Sequence, residues 1–197
     1  MFQVNKESPE NSLKFFIIDR KEDFIQKDVT VRNIEIETGT YGKQLKITVG
    51  RDEAESYNWV AQEPGPDKEI NGKILTTKAQ ADSVMKVVTH IGRRFLGEDF
   101  TASGKNFEEF CNDLIKQTKP LWEKTKLNAK FIINDKGYGG LAKYVPFLEN
   151  EGENKLKITT KDEEALIRKR TNATSVNKEA DVENDEVSAA KSDDLPF

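Results

Sequence analysis

Apolar residues recur along this chain with two different periods, and the order in which the periods change predicts a sheet, then helices, then a sheet again. From residue 13 to 49 the period is two. The run Leu13, Phe15, Phe16, Ile17, Ile18 leads on to Val29, Val31, Ile34 and Ile36, and the alternation slips between Val31 and Ile34. A β-bulge produces such a slip, and bulges are how small barrels coil a long first strand around two sides. Thr38 to Lys43 then supplies a glycine-punctuated turn, after which Leu45, Ile47 and Val49 alternate with Gln44, Lys46 and Thr48. This reads as a hairpin with one wet face.

The polar stretch from Arg51 to Gly72, with Pro64-Gly65-Pro66, predicts a long loop interrupted by a short strand at Tyr57 to Val60. A helix is expected from Thr77, where Thr77 and Gln80 have capping-box spacing and Ala81, Val84, Met85, Val88, Ile91 and Phe95 form a stripe. A second helix follows Asn106, with Phe107, Phe110, Cys111, Leu114 and Ile115 on one face, and ends before Pro120. Period two returns at Leu127, Ala129, Phe131 and Ile133, and a turn through Asp135 to Gly140 leads into a strand from Leu141 to Phe147. Leu156 and Ile158 suggest a further short strand, and Asp162 to Arg170 a charged helical turn. The fold class expected is therefore mainly β with inserted helices (α+β), an OB-fold-like antiparallel barrel with a helical insertion at about 77–119. The body covers 1–170, and 171–197 lacks the apolar periodicity to fold, which predicts a disordered tail.

Charge sharpens that division. The chain has 197 residues and a formal net charge of -4. From Thr171 onward seven acids face only Lys178 and Lys191, a net of -5, so the body stands at +1. Cys111 is the single cysteine, which excludes an intramolecular disulfide and a multi-cysteine zinc site, and predicts a cytoplasmic protein. No apolar run approaches a membrane span, so no membrane partner is expected. Cys111 reads as a buried thiol and His90, the only histidine, as a surface residue off the apolar stripe. Gly104-Lys105-Asn106 fails as a phosphate loop, because Asp99 stands where the leading glycine is needed and Asn106 where a Ser or Thr should hold magnesium. No catalytic residue, metal or cofactor is assigned.

The chain ends in Ser192-Asp193-Asp194-Leu195-Pro196-Phe197. These six residues resemble the acidic tip of bacterial single-stranded-DNA-binding proteins, Asp-Asp-Asp-Ile-Pro-Phe, with Ser192 at the first acid and Leu195 for Ile. The body looks more like phage-encoded single-strand binders, T7-like ones included, which would place the protein in a host cytoplasm. The resemblance implies that Asp193, Asp194, Leu195, Pro196 and Phe197 recruit replication, repair and recombination proteins. Physically, Phe197 offers a ring and a free carboxylate to an apolar pocket beside a cation, and Pro196 lowers the entropy lost on docking.

Single-strand binding requires cations that displace counterions from phosphates and exposed aromatic faces for stacking. Tyr41, Lys43 and Lys46 lie at the first hairpin, Tyr57 and Trp59 in the polar segment, and Lys130, Lys136, Tyr138, Lys143 and Tyr144 accompany the second hairpin. These ten are the candidate DNA-binding residues. Tyr57 and Trp59, one residue apart, read either as a shared base platform or as core. Tyr138, among Gly137, Gly139 and Gly140, is expected at an exposed turn. The function expected is a non-enzymatic binder of single-stranded DNA in replication and recombination, as a monomer or a homo-oligomer, whose tail competes electrostatically with DNA. The alternatives are a strand-annealing recombination mediator, a protein-only adaptor, and, last, a magnesium nuclease built on carboxylates such as Asp52, Glu53, Glu55, Glu98 and Asp99.

Overall fold

The computed structural model describes residues 16–133 and 138–171. Strands β1 (Ile25–Gly39), β2 (Gly42–Arg51) and β3 (Ala54–Gln62) form a meander, followed by a small hairpin of β4 (Lys68–Ile70) and β5 (Lys73–Leu75). Helices α1 (Thr77–Leu96) and α2 (Phe107–Thr118) come next, then β6 (Leu127–Ile133), β7 (Gly139–Leu141) and β8 (Leu148–Asn150). A third helix, α3, occupies 160–171.

The main sheet runs β3-β2-β1-β6-β7, with β8 also on β6. All these pairings are antiparallel. β1 serves both halves because it is bulged. Its register against β2 shifts between Val31 and Asn33, where the alternation slips in the sequence, so Val29 and Val31 point inward before the bulge and Ile34 after it. A second shift, against β6, falls between Gln26 and Val29 and contains Asp28 at φ 56°. The outer strands β3 and β7 are stitched by side chains. Asn58 Nδ2 donates to the Leu141 carbonyl at 2.6 Å, and the Leu141 N–H donates to Ser56 Oγ at 3.1 Å. The result is a nearly closed OB-like barrel, with α1 and α2 inserted between its third and fourth strands.

One apolar cluster unites barrel and helices. Phe24, Leu45, Ile47, Leu127, Phe131 and Leu141 are fully buried with Ile91 of α1 and Leu114 of α2. Gly92 is required by this packing, since a Cβ there would lie 2.2 Å from the Phe100 ring. Gly104 has the same reason, with the Phe110 backbone N 2.2 Å away, so the Gly104-Lys105-Asn106 run is a seat for α2. Asn106 caps that helix by accepting from the Glu109 N–H at 2.9 Å. The α3 entry is a capping box: Thr159 N–H donates to Asp162 Oδ2 at 2.7 Å and Asp162 N–H to Thr159 Oγ1 at 3.4 Å.

Several expectations need correction. β3 and the β4–β5 hairpin occupy most of the segment read as a loop, because their short strands carry many polar outward positions. The α1 cap is Thr76, which accepts from Ala79 N–H at 3.1 Å, while Thr77 turns back to bond Gly65 and Asp67. Met85 is about half exposed, and Val87 and Arg94 take buried places instead. The strand expected from Leu141 to Phe147 stops at Leu141, and the pairing moves to β8 rather than to Leu156 and Ile158.

His90 is not a surface residue. Its Nε2 accepts from the N–H groups of Phe147 and Leu148 at 3.3 and 3.1 Å, and its ring lies edge-on to Phe147 at 4.9 Å. The helical wheel shows the face away from the stripe, but only the tertiary fold brings the segment before β8 onto it. Cys111 is buried, and that burial pushes its thiol up to about 12. Among the described residues no helix is long and apolar enough to cross a membrane. The expected disordered tail at 172–197, its tip at Asp193 to Phe197, and Lys136 lie outside the described residues.

Candidate nucleic-acid interface

Strand alternation sends Leu45, Ile47 and Val49 of β2 inward and leaves Lys46 and Thr48 on the outside. β3 obeys the same rule, with Ser56 and Val60 inside and Tyr57 and Trp59 outside. Cross-strand pairing then places Lys46 beside Trp59, Thr48 beside Tyr57, and Glu35 beside Lys46. The aromatics meet edge to face, with ring centroids 5.3 Å apart. Lys46 Nζ lies 4.8 Å from the Tyr57 centroid and contacts Glu37 at 2.7 Å and Glu35 at 3.1 Å. Trp59 Nε1 donates to the other Glu37 oxygen at 2.9 Å. Hydrogen bonds from Lys46 and Trp59 hold the Glu37 carboxyl below its ordinary value, and the bond to Glu37 raises Lys46.

This arrangement reassigns Lys46. With two carboxylates on one ammonium, the local charge is net negative, so Lys46 serves to brace the aromatic pair rather than to attract phosphate. Tyr57 and Trp59 remain 50% and 42% exposed, which settles that they are not core.

On the far side of Trp59 lies a cleft of about 740 Å³ between β3, the β4–β5 hairpin, α1 and the segment 143–145. Lys68, Lys86 and Lys143 line it with Trp59 and Tyr144, and its remaining polar wall is Asn58, Gln44, Gln62, Gln80 and Ser83. No Asp or Glu lines it. The three lysines are exposed, and none forms an ion pair among the described residues. Lys143 Nζ rests 5.2 Å from the centroid of Tyr144, itself 75% exposed. Unneutralised cations around a concave wall focus positive potential into the cleft. No family model, curated protein or solved structure matches this chain. The interface therefore rests on its own geometry.

The other candidates are dispersed. Tyr41 is exposed at the β1–β2 turn, and Lys43 is ion-paired with Glu108 of α2. Lys130 is largely enclosed, bonding Asp162 at 2.9 Å and the Lys157 carbonyl at 2.8 Å, so it locks α3 to β6 instead of facing the cleft. Burial alone would raise the Asp162 carboxyl, but bonds from Thr159 and Lys130 hold it below its ordinary value. Tyr138 is half exposed beside β7. Sequence reasoning missed Lys68, which sat in the supposed loop, and Lys86, whose solvent face on α1 is legible although its neighbours across the cleft are not. Among the described residues no three His, Cys, Asp or Glu side chains are grouped to hold a metal ion.

Proposed function

We propose that this chain binds single-stranded DNA with little sequence preference, coating and protecting it in replication and recombination. The observation that carries the reading is the cleft in which three unpaired lysines and two exposed aromatics converge with no carboxylate. Lysines displace counterions from successive phosphates, and a stacked base contributes about 1–3 kcal/mol whatever its identity. The amides of Gln44, Gln62 and Gln80 offer both donors and acceptors, which suits any base edge and selects none. The acidic tip, by its resemblance to bacterial single-strand binders, recruits replication and recombination proteins. The net charge of -5 after residue 170 gives that tail a reason to compete with DNA for the same lysines.

Intrinsic fluorescence tests the placement of the strand. Trp59 is exposed on the cleft, whereas Trp122 is 5% exposed with Nε1 bonded to Thr118 Oγ1 at 2.9 Å. Saturating oligo-dT is expected to quench the Trp59 emission and leave the Trp122 emission unchanged in a Trp59→Phe chain. Full emission from the unaltered protein at saturation would rule out stacking on Trp59.

A further inference from the structure

The β4–β5 hairpin belongs to neither half of the barrel. It is a separate two-stranded sheet, and Ile70 and Ile74 on it are 47% and 73% exposed. Its base is nonetheless fixed to the start of α1: Thr77 N–H donates to Asp67 Oδ1 at 2.7 Å, Thr77 Oγ1 to the Gly65 carbonyl at 2.8 Å, and Gln80 Nε2 to the same carbonyl at 3.2 Å. Asn71 and Gly72 both take positive φ, 52° and 74°, the turn that matches the twist of a two-residue hairpin. The sequence thus builds a seated arm and leaves two isoleucines on it in water.

Register divides the arm into two unlike faces. Lys68 pairs with Leu75 and Ile70 with Lys73, while Glu69 pairs with Ile74. Because directly opposed residues share a side and successive residues alternate, Lys68, Ile70, Lys73 and Leu75 stand on one face and Glu69 and Ile74 on the other. Lys68 and Leu75 line the cleft, so the face with both cations and no acid is the one continuous with it. The carboxylate is turned away.

We propose that this face of the β4–β5 hairpin is an extension of the nucleic-acid path, in which Lys73 meets a backbone phosphate and Ile70 packs against a base of the strand leaving the cleft. The proposal rests on the cleft reading above and names further residues for it. Continuity with the cleft and the segregation of charge favour a polyanion over an apolar protein partner on this face. Three strand residues extend the path by about 10 Å.

The test uses the full chain, labelled oligo-dT of increasing length, and a salt series. Ile70→Ala is expected to weaken binding about fivefold, and Lys73→Glu to lower the slope of log affinity against log salt by about 0.7. Ile74→Ala and Glu69→Gln, on the opposite face, leave both quantities unchanged. Equal effects on the two faces, or none on either while the unaltered chain binds, would overturn the arm and leave the cleft standing. Failure of the unaltered chain to bind oligo-dT would overturn both.

Discussion

A chain carrying Lys68→Glu, Lys86→Glu and Lys143→Glu is expected to bind oligo-dT about a hundredfold more weakly than the unaltered protein, on about 1 kcal/mol lost at each of three cations. All three side chains are exposed and outside any described ion pair, so their reversal leaves the fold intact and the thermal unfolding curve close to its original position. Net charge alone predicts a general weakening, and a control separates the two effects. Lys116, Lys119 and Lys124, also exposed but away from the cleft, carry the same charge change when reversed together. Equilibrium titration by anisotropy should show the cleft triple far below the control triple. Equal losses would mean that the protein attracts DNA by its overall field and has no defined path.

The second large effect concerns stability in mild acid. His90 is held neutral because burial opposes its charge and the Arg94 cation adds to that opposition, while Glu153 pulls the other way and Lys155 again opposes, leaving the imidazole lowered from 6.5 to about 4. The geometry gives the same sign. A lone pair on Nε2 accepts two backbone N–H groups, and a proton placed there would confront both of them. Unfolded chains take up that proton near pH 6.5, folded ones only near pH 4, so the folded state is fully favoured above pH 6.5 and loses that advantage as the pH falls towards 4. Between pH 6.5 and 5 the loss is about 1.5–2 kcal/mol, equivalent to roughly 3–8 °C in melting temperature. Native carboxylates such as Asp162 and Glu153 lose their advantage at lower pH, which leaves this window to the histidine. Thermal melts across the window should show the slope, and His90→Gln should flatten it. A melting temperature independent of pH from 6.5 to 5 would contradict the assignment.

The barrel was legible because its information is local. The slip between Val31 and Ile34 announced the bulge that lets β1 serve two neighbours, and the stripe through Phe107, Cys111 and Leu114 announced α2. The β4–β5 hairpin was not legible, since three-residue strands with polar outward positions have no period to detect. Its Asn71-Gly72 turn was the available signal. The site divided in the same way. Trp59, Tyr57, Lys143 and Tyr144 were identifiable as exposed aromatics and cations near turns. Which lysines remain unpaired depends on carboxylates distant in sequence: Glu108 for Lys43, Asp162 for Lys130, and Glu35 with Glu37 for Lys46. Periodicity carries no record of those partners. The sequence therefore named an aromatic platform correctly as exposed, while the acid-free wall opposite it emerged only from the fold.

The central claim is tested most directly by titrating labelled oligo-dT with the full chain at several salt concentrations. Binding that weakens with salt along a log–log slope of about -2, the release expected from three lysine–phosphate contacts on a single strand, is the result this account predicts. No binding at low salt, or binding indifferent to salt, would contradict it.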